Sequence, residues 1–465
     1  MSPPAATEIT LEGFAPPTEA GRYRHLPFEM PPGIGRLEVR YRYSAAIGSD
    51  PHLTGGNTVD IGLFDQRGID FPGGGFRGWS GSARNDFYIS PTEATPGYLP
   101  GPLEPGTWHI SLGFYKIAPE GCHYRVDLRL FPEAGPARRA AFPPMLTLSS
   151  AKTRLQKRPD GWYRGELHCH SYHSDGDSPP RDLIAEAESL GLDFLAITDH
   201  NTISHLADPA LRGPHPLTLI PGCEVTTYKG HWNVWGQEGW LEFRMMTPER
   251  MEQTIRHAVQ QGCLTSCNHP RPYGPPWEFE EVMGYHCVEV WNGPWMLFNQ
   301  AALDFWEARL RQGRRLVAVG GSDAHRLQEE HVARIGTPTT WIYCPDRPTA
   351  AGLLAGLCAG YAFISASPQG PQLCLRAGQA MMGDVLARPP GGELDVTVRV
   401  VHGQGLTLEL HGAQGCLHSQ AVQAEEQTFT ASLPVHGTPY VRAQLVEPGT
   451  APPLVHALTN PIYFA

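Results

Sequence analysis

His168 and His170 stand two apart in the stretch Glu166-Leu-His168-Cys-His170. On a β-strand that spacing puts both imidazoles on one face, where their neutral nitrogens can hold one ion. Further along, the chain offers more of the same donors: Asp175 in Ser-Asp-Gly, His200 in Thr198-Asp199-His200, Glu224 in Gly-Cys-Glu, His269 in Asn-His-Pro, and Asp323 with His325 in Asp-Ala-His. Nitrogen and carboxylate donors without thiolate suit zinc, manganese or iron(II), and a carboxylate such as Glu224 can bridge two ions. Cys169 alternates with the two histidines, faces the other way and is expected to pack. Asp199, adjacent to His200, can orient a ligand through a hydrogen bond.

Each residue taken singly has a plainer explanation as a satisfied core histidine, a helix-capping carboxylate or a polar loop residue. Their placement argues for a shared role. Apolar runs at 194–197, 217–220, 263–268 and 316–319 immediately precede His200, Glu224, His269 and Asp323. In a β/α architecture the loops after the strands converge at one rim, and active sites gather there. Gly176 permits the sharp turn a ligand loop needs, and Gly320-Gly321 lets the backbone approach something closely.

The elements that must position these residues follow from periodicity. Short apolar runs alternate with helical patterns across residues 162–367, with strands near 193–198, 217–223, 232–236, 287–291, 315–320, 338–344 and 361–365. Helices are expected from Ser178 to Gly191, from Thr247-Pro248 to Gly262, and at about 299–312 and 349–359, the second with a hydroxyl cap followed by proline. A barrel-like β/α layout of seven or eight strands fits that count. Before it, two-fold alternation in Leu37, Val39, Tyr41, Tyr43 and in Trp108, Ile110, Leu112, Phe114 predicts an antiparallel sandwich of jelly-roll type over residues 1–145. Residues 146–161, with a basic cluster from Lys152 to Arg158, read as a solvated linker. Alternation returns over 368–465 and predicts a small Ig-like β domain.

Composition narrows the function classes. At 465 residues the chain needs two or three domains, and 51 Gly with 45 Pro point to many turns. A formal charge of −11 disfavours nucleic acid as a partner. The absence of a leader or a long apolar run leads to an expectation of cytoplasmic location without membrane contact. Ten cysteines without a short-spaced framework are expected to be reduced, and Cys263 with Cys267 to pack in the core, not to form a zinc knuckle.

In this order, Leu-His168-Cys-His170 with Ser-Asp175-Gly, Ala-Ile-Thr-Asp-His200-Asn, Gly-Cys-Glu224, Gly-His231-Trp-Asn, Asn-His269-Pro and Gly-Ser-Asp323-Ala-His325 resemble the motifs of the PHP (polymerase and histidinol phosphatase) superfamily. The resemblance implies a distorted (β/α)7 TIM-like barrel with two or three divalent ions. It assigns His168, His170, Glu224 and Asp323 to a first ion, Asp175, His200 and His325 to a second, and Glu224, His231 and His269 to a third. The flanking β domains, Gly230-His231-Trp-Asn-Val-Trp-Gly236 and the ending Ala457-Leu-Thr-Asn-Pro-Ile-Tyr463 are similar to the CehA/McbA branch, which includes carbaryl-type carbamate hydrolases. His173 departs from relatives that often carry tyrosine there; extra ligand, proton donor and loop residue are its three readings.

The expected activity is hydrolysis of a phosphate ester in a small molecule by a hydroxide bridging two ions, with Asp175, Asp323 and His325 at the chemistry. A carbamate or carboxylic ester on the same site is the alternative, and a non-catalytic, metal-stabilised binding module is a third. Arg271, just after His269, is the candidate clamp for a phosphate or carboxylate, with Arg326 just after His325 as another, and surface salt bridges are the plainer reading of both. Trp232, Trp235, Trp277, Trp291 and Trp295 either line an aromatic pocket or pack in the core. Oligomeric state and the general acid are left open.

Overall fold

Alternation governs the first part of the chain: Leu37, Val39 and Tyr41 are buried while Arg40 and Arg42 between and beyond them are exposed. The computed structural model, which describes residues 6–133, 141–328 and 332–465, has eight strands here. They are β1 (Thr7–Ala15), β2 (Tyr23–Met30), β3 (Ile34–Tyr43), β4 (Thr58–Phe64), β5 (Phe76–Gly81), β6 (Asp86–Ile89), β7 (Gly106–Lys116) and β8 (Cys122–Pro132). Two four-stranded sheets in the orders β1-β8-β3-β6 and β2-β7-β4-β5 form the jelly-roll arrangement. Val59, Ile61, Trp108, Ile110, Val126 and Leu128 interleave between them. The second sheet turns Phe64, Phe76 and Trp79 outward into a core shared with the middle of the chain, where Trp79 meets Phe243 at 4.7 Å and Phe76 stacks on Trp240 at 5.2 Å.

The middle region has four α-helices where the periodicity placed them: α1 (Pro180–Ser189), α2 (Pro248–Gln260), α3 (Asn299–Arg311) and α4 (Ala350–Cys358). Helix α1 buries Leu183, Ile184 and Ala187, and Thr247 caps α2 by accepting the amide of Arg250. The strands are less regular than a uniform β/α barrel. They fall into one group of Thr218–Leu219, Phe194–Ile197, Trp162–Cys169, Thr339–Tyr343 and Ala362–Ser365, and a separate five-stranded sheet of Gly222–Thr227, Gly230–Trp235, Leu264–Cys267, Cys287–Asn292 and Val317–Gly321. Parallel pairs mix with antiparallel ones, as between Gly222–Thr227 and Gly230–Trp235. That connection is a two-residue turn, and only an antiparallel partner can be reached by so short a path. Isolated bridges Cys169↔Ala324 and His200↔Glu224 join the two groups at the site.

The last part of the chain packs a core of its own, with Leu375, Val398, Leu408 and Leu445, between two sheets, but it is joined to the middle region. One of its sheets, Gln372–Ala377, Glu393–Val401 and Glu426–Pro434 with Ala380–Met381, is its own. The other joins the middle region, because Val455–Thr459 pairs with Ala362–Ser365 and carries the sheet on to eleven strands. Asn460 fastens this joint: its side chain accepts the amide of Ala318 at 2.7 Å and donates to the carbonyls of Ala318 and Ala362, both at 3.0 Å. Asn460→Ala removes the side-chain partner of the Ala318 amide and carbonyl, while the Ala362 carbonyl keeps the amide of residue 460, so unfolding free energy should fall by about 1–3 kcal/mol. A denaturant titration in which the midpoint does not move would refute this.

The segment expected to be a free linker is laid along the middle region. Leu146 donates to the Leu206 carbonyl, Lys152–Thr153 pairs with Pro214–His215, and Arg158 reaches the buried Asp193 at 2.6 Å. All ten cysteines are free thiols, with Cys169, Cys263, Cys267 and Cys287 buried. Among the described residues no helix is long and apolar enough to cross a membrane.

Candidate metal centre

His168 and His170 share a face at the end of Trp162–Cys169, while Cys169 points away and packs, its Sγ 3.6 Å from the Ala196 carbonyl. In the hairpin of Gly222–Thr227 and Gly230–Trp235, Thr226 lies opposite His231 and Glu224 opposite Asn233, so Glu224 and His231 are diagonal neighbours on one face. His269 and Asp323 stand just past their strands in left-handed conformations, with φ of 29° and 54°. Such backbone costs roughly 1–3 kcal/mol per residue and persists only where the surroundings enforce it. Here the Asp323 amide is held by the His168 carbonyl at 2.8 Å and the His269 amide by Glu289 at 3.2 Å.

Glu224 is the hub. Its Oε1 lies 3.4 Å from His168 Nε2, 3.3 Å from His231 Nδ1 and 3.3 Å from His269 Nε2; its Oε2 lies 3.6 Å from His170 Nε2 and 2.8 Å from His200 Nδ1. Asp323 Oδ1 approaches His168 Nε2 at 3.3 Å and His170 Nε2 at 3.0 Å. Asp175 Oδ1 faces His200 Nε2 at 3.5 Å and His325 Nε2 at 3.3 Å. All nine expected ligands therefore meet. Donor atoms close enough to share an ion group as His168, His170 and Glu224; as His170, Asp175, His200 and His325; and as His200, Glu224 and His231. His170 and His200 thus each sit between two groups, which the family pattern had kept apart.

Unpaired atoms test whether ions fit. His168 Nε2, Asp175 Oδ1 and Glu224 Oε2 are buried and face only the other donors of the cluster, without a well-formed hydrogen bond among the described residues, and all three residues belong to these groups. Buried polar atoms are left in that state at a cost of about 1–3 kcal/mol each, which metal coordination removes. The charges agree. Burial opposes ionisation of Glu224, yet His168, His200 and His231 hold its carboxyl well below the usual range, and His168, His170 and His325 do the same for Asp323. Burial, with His325 and His200 beside it, pushes His170 down to about 4, whereas Asp175 overcomes burial and lifts His325 to about 10. The carboxylates demand positive charge, which divalent ions would supply while the histidines that bind them stayed neutral.

A supporting layer holds the donors, and much of it escaped notice in the sequence. Glu289 accepts at 2.8 Å from His168 Nδ1, which leaves Nε2 for an ion. Asn268 donates to Glu224 at 2.9 Å, and Asn292 to both Glu289 and Asp323. The one signal for Glu289 was a carboxylate between two valines in the strand Cys287–Asn292. Glu289→Gln should weaken the tightest metal binding by about 10–100-fold, measured by competition with a chromophoric chelator; unchanged affinity would remove Glu289 from this role. Glu166 spends its carboxylate on the amides of Leu167, His168, Ser322 and Gly336. Asp199 holds Ser171 and Ser174, fixing the loop that ends at Asp175.

Arg271, the candidate clamp after His269, turns its terminal nitrogens to the scaffold. Its guanidinium is buried and bonded to the carbonyls of Asn292 and Leu297 and to Asn299, so the fork serves the scaffold. Arg326 is exposed. His173 is a loop residue: it bonds Ser204 at 2.8 Å and faces Asp208 and Gly97. The tryptophans pack, Trp232, Trp235, Trp277, Trp291 and Trp295 all being buried.

A PHP domain model matches residues 166–264, a stretch that carries His168, His170, Asp175, His200, Glu224 and His231. The chain is 36% identical over 63 residues to a 5'-3' exoribonuclease of Haemophilus influenzae, 13% of this chain and 23% of that protein. It is 38% identical over 65 residues to the 5'-3' exoribonuclease Rnm of Escherichia coli, 13% of this chain and 22% of that one. An error-prone DNA polymerase of Cutibacterium acnes is 58% identical over 38 residues, 8% of this chain and 3% of the polymerase. The chain thus spans less than a quarter of the length of these curated relatives. The crystal structure of a two-domain Bacteroides vulgatus protein containing a predicted PHP-like metal-dependent phosphoesterase aligns at 18% identity and a TM-score of 0.35, over 70% of this chain and all of that one. An amidohydrolase from Chromobacterium violaceum with bound sulfate and no metal aligns at 17% identity and a TM-score of 0.27, over 37% of this chain and 90% of that one. From Glu166 to Leu264 the chain is similar to the PHP domain, and six of the nine donors fall within that stretch, while His269, Asp323 and His325 lie beyond it.

Proposed function

We propose that this chain is a metal-dependent hydrolase that cleaves a phosphate ester in a small molecule. The observation that carries the proposal is Glu224, one buried carboxylate within 3.6 Å of His168, His170, His200, His231 and His269. His168, His170, Glu224 and Asp323 would hold a first divalent ion; Asp175, His200 and His325 a second; and Glu224, His231 and His269 a third, with zinc, manganese and iron all compatible with the donors. The chemistry such ions supply is polarisation of the ester oxygens and acidification of water to a pKa of roughly 7.

The side chains divide between floor and mouth. His168, His170 and Glu224 are fully enclosed, whereas the Asp175 side chain is 43% exposed and those of Asp323 and His325 about a quarter. Asp175, Asp323 and His325, with His200 at 21%, are therefore the donors that substrate entering from solvent would meet, which supports catalytic roles for the first three. His325 Nδ1 faces the Asp323 carbonyl at 2.8 Å, which leaves Nε2, beside Asp175, for the second ion. Asp323 also positions His170.

A second reading, hydrolysis of a carbamate or carboxylic ester, is favoured by one observation. Arg271 is occupied by Asn292, Leu297 and Asn299, which withdraws the expected cationic grip on a phosphate. A neutral carbonyl centre has no need of that grip. The net charge of −11 argues against a polynucleotide, although the exoribonuclease relatives make RNA worth testing. Protein purified without chelator should be assayed in parallel on an aryl phosphate, an aryl carbamate and an RNA oligonucleotide, with elemental analysis alongside. Phosphate cleavage abolished by chelator is the expected result. Carbamate cleavage alone would move the conclusion to the second reading, and metal-loaded protein inert on a broad panel would leave a binding module.

A further inference from the structure

The hairpin that carries Glu224 and His231 turns at Tyr228 and Lys229. Tyr228 is embedded in the jelly roll. Its ring stacks on Tyr23 of β2 at 5.3 Å with planes 3° apart, and on Tyr115 of β7 at 5.0 Å. Its hydroxyl donates to Asp60 Oδ2 of β4 at 2.6 Å. Glycine at 113 makes the fit possible, because a methyl group there would fall 2.2 Å from the Tyr228 oxygen.

The grip reaches the metal centre through short paths. Two residues before Tyr228, the Thr226 hydroxyl meets His200 Nδ1 at 2.6 Å, and Asn201 closes on Thr226 from both sides, donating to its carbonyl and accepting its amide. His200 and Glu224 form a backbone bridge of their own. A shift of the turn therefore moves Thr226, Glu224 and His231 together against His200. Burial pushes the Asp60 carboxyl up to about 7, and its bond from Tyr228 works the other way.

We propose that Tyr228 and Asp60 are positioning residues for the metal centre: the jelly roll holds the hairpin turn through them and so sets where Glu224 and His231 stand relative to His200. This rests on the metal-centre reading above, and it makes the N-terminal sheets part of the site. It also explains why a hairpin turn, ordinarily a solvent-exposed place, carries a large aromatic residue.

The full chain, with Tyr228→Phe and Asp60→Asn made separately, tests the idea. Tyr228→Phe keeps the ring stack and loses the donor; Asp60→Asn keeps an acceptor for the hydroxyl and serves as the conservative rescue. Zinc titration against a competing chelator and the visible spectrum of the cobalt-substituted protein are read beside thermal melting. Tyr228→Phe should weaken the most loosely held ion about ten-fold or more and alter the cobalt spectrum. Asp60→Ala, which removes the acceptor, should do the same, and wild-type behaviour in it would take Asp60 out of the proposal, whereas Asp60→Asn and the control Tyr115→Phe should preserve both. Wild-type affinity and spectrum in Tyr228→Phe would overturn the proposal even if melting changed. A wild-type chain that binds neither zinc nor cobalt would overturn the metal-centre reading itself, and this proposal with it.

Discussion

Glu224→Gln will yield a folded protein that retains less metal than the wild type and has lost activity by about 10³-fold or more, the equivalent of roughly 4 kcal/mol in the barrier. Glutamine keeps the shape and the contact with Asn268 but removes the charge to which His168, His231 and His269 turn on one oxygen and His170 and His200 on the other. Among the described residues, Glu224 is the one carboxylate that belongs to two of the groups of donors. Elemental analysis of protein purified without chelator checks the first half, and the substrate panel the second. A Glu224→Gln protein with its full metal complement and activity would refute the hub role, and with it the main support for the functional proposal.

Gly321→Ala carries the second large effect, and its target is not a ligand. A methyl group at residue 321 would lie 2.4 Å from His168 Cβ and 2.6 Å from Glu289 Oε1. Neither neighbour can yield cheaply, because His168 is held by Glu289 and Glu289 by Asn292. Overpacking of this kind costs about 1–3 kcal/mol, and the displaced atoms belong to a metal ligand and to the carboxylate that fixes its tautomer. Stability and metal content should therefore fall together. Gly239→Ala is the control, since nothing lies within 4 Å of the added methyl and the residue is exposed. Denaturant titration and elemental analysis of both variants suffice; a Gly321→Ala protein as stable and as metal-rich as the control would show that the close approach is not needed.

Much of the centre was legible because its chemistry is local. His168 and His170 declare a common face by their spacing, and His200, His269 and Asp323 each follow an apolar run that became a strand. Gly320-Gly321 signalled a close approach, though not that His168 was what it approached. The jelly roll was readable for the same reason, since alternation along β3 and β7 needs only neighbours in sequence.

What stayed hidden depended on partners far apart in the chain. Arg271 follows a ligand, but adjacency says nothing of direction, and its donors turn to Asn292, Leu297 and Asn299. Glu289 looked like an anomaly in a core strand until His168, more than a hundred residues earlier, met it. The last β region read as a domain of its own, yet Val455–Thr459 extends the sheet of Ala362–Ser365, a pairing that no local pattern encodes. Residue types and their periodicity thus determined which side chains could bind metal and which segments would be strands. Only the tertiary structure decided how those segments pair, which donors are left free, and that the hairpin bearing Glu224 is anchored in the jelly roll, because each of these depends on contacts between elements distant in sequence.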